Sequence, residues 1–211
     1  MPLLAVVDYG IGNLHSASKA LERAGARVVV TSEAAAIANA DGVLLPGVGA
    51  MGRCMESLDD RGLRSVVLDV ARSSTPFLGI CVGMQMLHDG SEENGGVSGL
   101  GLVPGTVRRV VGDVKLPQMQ WNVVEAYQGR HSVLLDGLVD QDDRWMYFVH
   151  SFAPELHGAV VATCDFGGDV GAVVEYGSVM GTQFHPEKSS HAGIALLANF
   201  VRCSALSRSG R

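Results

Sequence analysis

The chain has 211 residues, 47% of them hydrophobic, with 16 Lys and Arg against 22 Asp and Glu and a net charge of −6. The high apolar content excludes an intrinsically disordered protein, and a chain of this length can bury a large core without disulfides or a metal. The acidic balance argues against a nucleic-acid-binding protein, which would present a basic stripe. We expect a cytoplasmic protein with no targeting segment, membrane span, metal or cofactor, because its four cysteines are irregularly spaced and no apolar run reaches the length of a span.

Strand and helix patterns alternate along the first half of the chain. Strands are predicted at Leu3–Tyr9, Arg27–Thr31, Gly42–Pro46 and Phe77–Cys81. Between and after them, helices are predicted up to Ala24, over Glu33–Asn39, over a long region ending at Ser73, and over Met84–His88. This alternation predicts an α/β fold with a mostly parallel, doubly wound sheet flanked by helices.

The second half is richer in short β-type runs, which predict additional antiparallel strands. These runs are Thr106–Val111, Asn122–Ala126, Trp145–Val149, Ala159–Cys164, Ala172–Tyr176 and Val179–Gln183. A final amphipathic helix is predicted over Ala192–Val201. Because no linker-like stretch divides the chain, we expect one domain over residues 1–203, followed by a flexible tail over residues 204–211.

The segment Gly79-Ile80-Cys81-Val82-Gly83 has the G-x-S-x-G pattern of a nucleophile elbow, with cysteine in place of serine. An apolar strand precedes it and a helical pattern follows, which is the context that the motif requires. Cys81 would then lie at a helix N-terminus, where a thiol pKa is lowered. The alternative interpretation is a buried structural cysteine between two packing glycines.

His185 and Glu187 form a second candidate pair, in the segment Gln183-Phe184-His185-Pro186-Glu187. In extended backbone, residues two apart point to the same face, so the carboxylate can orient the imidazole. A surface histidine with a nearby glutamate is common, and the pair gains weight because Cys81 needs a base.

The glycine-rich loop Pro46–Gly52 admits three interpretations. It matches G-x-G-x-x-G with Asp69 further on, which is typical of dinucleotide binding, although that fingerprint normally follows the first strand. It could be a purely structural turn. We prefer a loop whose backbone N–H groups stabilise an oxyanion beside Cys81.

The sequence resembles the class-I, triad-type glutamine amidotransferases, and more narrowly the glutaminase subunits of imidazole glycerol phosphate synthases. The motifs that carry the resemblance span nearly the whole chain and are Asp8–Asn13, Pro46–Gly49, Gly79–Gln85, Ser91–Glu93, Trp121-Asn122, Tyr147–Phe152 and Gln183–Ser189. One departure concerns Gln118 and Gln120, where that family usually has His and Gly in a partner-facing segment.

The resemblance implies that Cys81 attacks the glutamine side chain while His185, oriented by Glu187, transfers protons. It implies that the backbone N–H groups of Val48 and Val82 hold the oxyanion. Glutamine would be bound by Gly49, Gln85, Glu93, His150, Ser151 and Phe152. For His150 the alternative is a core histidine, and for Glu93 a solvated acidic loop.

The resemblance further implies a partner that consumes the ammonia. In that family the partner is a (β/α)₈-barrel cyclase that converts PRFAR to imidazole glycerol phosphate and AICAR within a heterodimer. The interface candidates are Asn13, Met119, Trp121, Tyr147 and Lys188. The competing functions are a glutaminase serving another ammonia-channelling synthase and a stand-alone cysteine hydrolase.

Overall fold

A computed structural model describes residues 1–138 and 144–209, with side chains described as far as residue 207. Apolar runs in the first half form short strands, each followed by a helix. The strands are β1 (Leu3–Val7), β2 (Arg27–Thr31), β3 (Gly42–Leu45) and β4 (Phe77–Ile80). The helices are α1 (Leu14–Arg23), α2 (Ala34–Ala38), α3 (Met51–Asp60), α4 (Arg64–Arg72) and α5 (Val82–Gln85).

The rest of the described chain is mostly β-structure and ends in a long helix. Its first strands are β5 (His88–Ser91), β6 (Val97–Ser98), β7 (Val103–Arg109), β8 (Gln118–Val123) and β9 (Glu125–Ala126). The later strands are β10 (Trp145–His150), β11 (Phe152–Pro154), β12 (Val160–Asp165), β13 (Asp169–Tyr176) and β14 (Val179–Thr182). The final helix is α6 (Ser190–Ser209).

In the described part of the chain, eight strands form the main sheet in the order β2-β1-β3-β4-β14-β13-β12-β9. Its first five strands are parallel and its last three are added in antiparallel fashion. The smaller sheets have the orders β10-β8 and β11-β7-β5-β6. The predicted α/β fold, mostly parallel with antiparallel strands in the second half, is confirmed.

Strands β4 and β14 are distant in sequence but adjacent in the sheet. Ile80 is in register with Thr182, and the amide of Cys81 donates to the Thr182 carbonyl at 2.7 Å. Because the carboxyl ends of parallel strands meet at one edge of a sheet, the residues that follow β4 and β14 lie side by side.

Two helix predictions in the first half were wrong. The predicted helix Met84–His88 is interrupted: α5 ends at Gln85, and His88 begins β5, which pairs with Val103 of β7. The predicted single helix ending at Ser73 is two helices, α3 and α4, separated at Gly62, whose φ of +66° ends the helical path.

The last helix is longer than predicted. It continues through residues 204–209, where the sequence suggested a tail. Ser204 is fully buried, and its hydroxyl donates to the Phe200 carbonyl one turn earlier at 3.0 Å, which holds this part of the helix on the core. None of the helices in the described residues has both the length and the apolar character needed to cross a membrane.

Candidate active site

Cys81 occupies a sharp turn between β4 and α5. Its φ of +54° and ψ of −113° are strained for a residue with a side chain, as expected for a nucleophile elbow. The flanking glycines leave no room for a side chain, since a Cβ on Gly79 would lie 2.7 Å from the Gly83 carbonyl oxygen. Because α5 has only four residues, its helix dipole is small.

His185 and Glu187 follow β14, and the His185 side chain contacts Cys81. Glu187 Oε1 lies 2.8 Å from His185 Nδ1, and both side chains are 3% exposed. Burial lowers the pKa of His185, but its hydrogen bonds to the Cys81 sulfur and the Glu187 carboxylate outweigh burial and raise that pKa to about 9. The three side chains therefore form one connected chain of polar contacts.

Gln183 is a site residue that the sequence analysis quoted but did not assign. Its Nε2 lies 3.9 Å from Cys81 Sγ, while its Oε1 accepts a hydrogen bond from Gln85 Nε2 at 3.1 Å. Gln85 also donates to the Phe152 carbonyl at 2.9 Å. The two amides thereby fix each other beneath the nucleophile. The spacing of two between Gln183 and His185 could have indicated that both face the site.

The loop after β3 lies directly on the elbow. A Cβ on Gly47 would come within 2.8 Å of the Val82 carbonyl carbon, so only glycine allows this approach. In the part of the chain that the structure describes, the amides of Val48 and Val82 donate to no protein acceptor. This position beside Cys81 fits an oxyanion loop better than a dinucleotide site.

A cavity of about 370 Å³ opens at Cys81 and brings together every residue that the sequence analysis assigned to catalysis, oxyanion stabilisation or glutamine except Glu187. Glu187 lies behind His185 and borders a separate, much smaller cavity. Lys188, expected at an interface, also reaches the rim of the main cavity. The full lining comprises Val48, Gly49, Cys81, Val82, Gln85, Glu93, Pro117, Val149, His150, Ser151, Phe152, His185 and Lys188.

Two polar side chains of this cavity have constrained hydrogen bonding. His150 Nδ1 donates to the Phe152 carbonyl at 2.9 Å, which leaves Nε2 as a buried acceptor with no partner among the described residues. Burial lowers the pKa of His150 to about 4, so its ring is neutral. Glu93 is half-buried, and its Oε2 accepts a hydrogen bond from the Met51 amide at 2.7 Å.

The paired strands β8 and β10 present an apolar face toward solvent beside the cavity. Met119 and Trp121 are 63% and 45% exposed, and the Trp121 ring lies edge-on to that of Tyr147 at 6.1 Å. Trp145, which the sequence analysis missed, is 48% exposed on the same side. We call this surface the apolar face; its members are Met119, Trp121, Val123, Trp145, Tyr147 and Val149.

The remaining interface candidates have different surroundings. The Lys188 ammonium lies 5.9 Å from the centre of the Tyr147 ring, at the border of the apolar face. Asn13 accepts a hydrogen bond from the Ser16 amide and caps α1, and it lines the small cavity beside Glu187. Gln118 is fully buried with its amide 3.6 Å from Cys164 Sγ, whereas Gln120 is exposed.

The site's chemistry rests on side chains and backbone amides. Among the described residues, no cluster of three or more His, Cys, Asp or Glu side chains is arranged to hold a metal ion. The fold and the contacts at Cys81 are those of a class of enzymes in which a cysteine, a histidine and a carboxylate lie together on an α/β sheet.

Comparisons with known proteins agree with this class. The model of the class-I glutamine amidotransferase family matches residues 5–203. The HisH subunit of imidazole glycerol phosphate synthase from Acinetobacter baylyi is 46% identical over 205 residues, covering 95% of this chain and 98% of the relative. The HisH subunit from Deinococcus radiodurans is 46% identical over 208 residues, covering 95% and 94%.

Solved structures show the same fold at low identity. A crystal structure of a glutamine amidotransferase has a TM-score of 0.71 at 18% identity, covering 96% of this chain and 98% of the other. PurLQS from Thermotoga maritima has a TM-score of 0.72 at 19% identity, covering 95% and 98%. The chain therefore belongs to the class-I glutamine amidotransferase family and, within it, to the HisH subunits.

Proposed function

We propose that this chain is the glutaminase subunit of imidazole glycerol phosphate synthase. It hydrolyses glutamine to glutamate and ammonia and passes the ammonia to a cyclase partner. The observation that carries the proposal is the buried chain of contacts from Glu187 through His185 to Cys81, which opens onto a cavity of suitable size for an amino acid. We further propose that residues 1–203 act as one amidotransferase domain in the cytoplasm.

In the first half-reaction, the Cys81 thiolate adds to the side-chain carbonyl carbon of glutamine. The resulting oxyanion accepts hydrogen bonds from the Val48 and Val82 amides, and one such donor is typically worth about 3 kcal/mol. The His185 imidazolium then gives its proton to the departing nitrogen, so that ammonia leaves and a thioester remains on Cys81.

In the second half-reaction, neutral His185 takes a proton from a water molecule that attacks the thioester carbonyl. The C–S bond breaks, glutamate is released and the Cys81 thiolate re-forms beside the imidazolium. Throughout, Glu187 accepts a hydrogen bond from Nδ1, which keeps Nε2 directed at the reacting atoms.

Glutamine recognition uses the polar lining of the cavity. The Glu93 carboxylate suits the substrate ammonium, and the free Nε2 of His150 is an acceptor for a substrate N–H group. Gly49, Gln85, Ser151 and Phe152 complete this pocket. The network of Gln85 and Gln183 holds its floor in place.

The partner that we propose is a (β/α)₈-barrel cyclase, which joins ammonia to PRFAR and yields imidazole glycerol phosphate and AICAR. Ammonia released into water at neutral pH is mostly protonated and no longer nucleophilic, so the two subunits must enclose its path. The apolar face, with Lys188 and Asn13 nearby, supplies a surface of the type found at the centre of stable interfaces.

The test is glutamate release by the purified chain alone, with the cyclase subunit, and with cyclase plus PRFAR. We expect strong activity only in the full mixture. Equal activity in all three conditions would contradict the partner but keep the cysteine chemistry, and it would favour a stand-alone cysteine hydrolase.

A pair of cysteine variants ties that activity to the site. Cys81→Ala is expected to lower glutamate release by at least about 10³-fold while leaving folding and cyclase binding intact. Cys203→Ala removes a half-buried cysteine of α6 and is expected to leave activity unchanged. Residual turnover within tenfold of wild type in Cys81→Ala would exclude Cys81 as the nucleophile.

A further inference from the structure

Two buried donors lie behind the oxyanion loop, on elements that the mechanism does not use. Tyr9, just after β1, is fully buried, and its hydroxyl donates to the Pro46 carbonyl at 2.6 Å. Cys54, in α3, is also fully buried, and its thiol donates to the Val48 carbonyl at 3.4 Å.

These two hydrogen bonds bracket one peptide unit. The Pro46 carbonyl belongs to the unit before Gly47, and the Val48 carbonyl belongs to the unit after Val48. The unit between them carries the Val48 N–H group, which we assign to the oxyanion. Its neighbours on both sides are therefore tied to the protein interior, whereas Val48 itself is 39% exposed.

Both tethering groups keep their protons under all physiological conditions. Burial raises the pKa of the Tyr9 hydroxyl well above its ordinary value, and burial likewise raises the pKa of the Cys54 thiol. Each group is therefore available as a hydrogen-bond donor. Gly49 has a φ of +83°, and a Cβ added to it would meet no described atom within 4 Å. No packed group therefore restrains the loop at Gly49 in the way that Tyr9 and Cys54 restrain it at Pro46 and Val48.

We propose that Tyr9 and Cys54 are positioning residues, which hold the carbonyls on either side of the Gly47–Val48 peptide unit so that the Val48 amide can be directed at the oxyanion of the substrate. This inference rests on the proposed glutaminase function. Neither side chain lines the catalytic cavity, so both act through the backbone carbonyls of the loop. Their effect is on the transition state, where the oxyanion exists, and not on the binding of glutamine.

The experiment measures kcat and KM for glutamine in the complex with the cyclase subunit and PRFAR. Loss of a whole oxyanion donor costs about 10²–10³-fold in kcat, and we expect loosening it in Cys54→Ala to cost about tenfold with KM unchanged. Cys54→Ser keeps a donor of similar size and is expected to stay within about twofold of wild type. Tyr9→Phe, which keeps the ring, is expected to lose about tenfold in kcat.

A second readout separates positioning from a general structural role. Alkylation of Cys81 by iodoacetamide, followed by peptide mass spectrometry, requires the thiolate but develops no oxyanion at the loop. We expect its rate to be unchanged in Cys54→Ala and Tyr9→Phe. A parallel fall in alkylation, unchanged kcat in both variants, or equal losses in Cys54→Ser and Cys54→Ala would overturn the inference. An inactive wild-type complex would contradict the proposed function itself, and this inference with it.

Discussion

The His185 imidazole is buried between a sulfur that carries negative charge in the reactive state and a carboxylate, and the balance of these effects sets its acid strength. Burial alone would lower its pKa, but the contacts with Cys81 and Glu187 raise the pKa to about 9. His185 is therefore protonated at neutral pH and can act as the acid that expels ammonia. The same contacts stabilise the folded state while His185 is protonated. Their contribution to the free energy of unfolding is complete below pH 6.5 and is lost as the pH rises through about 9.

Removal of the Glu187 charge tests this balance. In Glu187→Gln the pKa of His185 is expected to fall. The alkaline decline of kcat/KM, which we expect near pH 9 in the wild type, should therefore move to lower pH by at least about one unit. Activity at the optimum is expected to fall by about 10²–10⁴-fold, because the imidazole loses its charged orienting partner. The measurement is the pH profile of glutaminase activity in the complex.

Glu56→Gln is the matched control for this change. Glu56 is an exposed carboxylate of α3 that pairs with Arg53 on the surface. The loss of its charge is expected to leave the pH profile of glutaminase activity unchanged. An alkaline limb at the same pH in Glu187→Gln and wild type would show that the limb does not report His185.

Among the elements, the β8–β10 pair is the clearest candidate for binding the cyclase. Its apolar face exposes two tryptophans and a methionine, residues enriched in the energetic centres of interfaces. We expect Trp121→Ala to weaken cyclase binding at least about tenfold, as measured by calorimetry with the two purified subunits.

Tyr176→Ala provides the control for the loss of an exposed aromatic residue. Tyr176 is 55% exposed at the end of β13 and pairs with Val179, at the end of the main sheet opposite the cavity. Its substitution is expected to leave cyclase affinity unchanged. If Trp121→Ala bound the cyclase as wild type does, the interface would have to lie elsewhere.

The elements of the parallel half were the most predictable. The fully buried strands β3 and β4 are continuous apolar runs and were predicted to within one residue, and the partly exposed edge strand β2 was predicted with its observed bounds. The strands β5, β6 and β11 were missed, because they are only two to four residues long and are defined by their pairing, β5 with β6 and β7, and β11 with β7. Local periodicity cannot show such pairing.

The site was predictable where its residues sit in motifs. The sequence assigned Cys81, His185 and most of the other cavity residues, though not Pro117 and Val149, and the structure brings the assigned residues together. Their chemical roles stay proposals. The contacts of Tyr9, Cys54 and Gln183 could not be predicted, since each depends on where a remote element packs.

At the scale of the whole molecule, one buried histidine, His88, makes stability sensitive to acid. His88 is fully buried, its Nδ1 bonds to the Met84 carbonyl, and the His157 ring lies 5.6 Å away. Burial, aided by His157 and opposed by Asp89, lowers the pKa of His88 to about 4. The free energy of unfolding contains the full contribution of neutral His88 above pH 6.5. That contribution is lost as the pH falls from 6.5 to about 4, because the unfolded chain takes up the proton first.

Urea unfolding between about pH 7.5 and 4.5 tests this contribution. We expect the free energy of unfolding of His88→Leu to fall less steeply with acidity than that of wild type, by up to about 1.4 kcal/mol per pH unit. His15→Leu changes an exposed histidine of α1 and is expected to keep the wild-type slope. If the free energy of unfolding fell equally steeply with acidity in wild type and His88→Leu, the pKa of His88 would not be lowered in the folded state.

The position of β14 has a consequence for how the protein is made. This strand lies in the middle of the main sheet, between β4 and β13, yet it is the last strand of the described chain. During synthesis on a ribosome, β4 would wait with an open edge until β14 had emerged to pair with it. Cys81 and His185 come together only at that moment, so the proposed glutaminase site cannot form before the last strand of the described chain is in place.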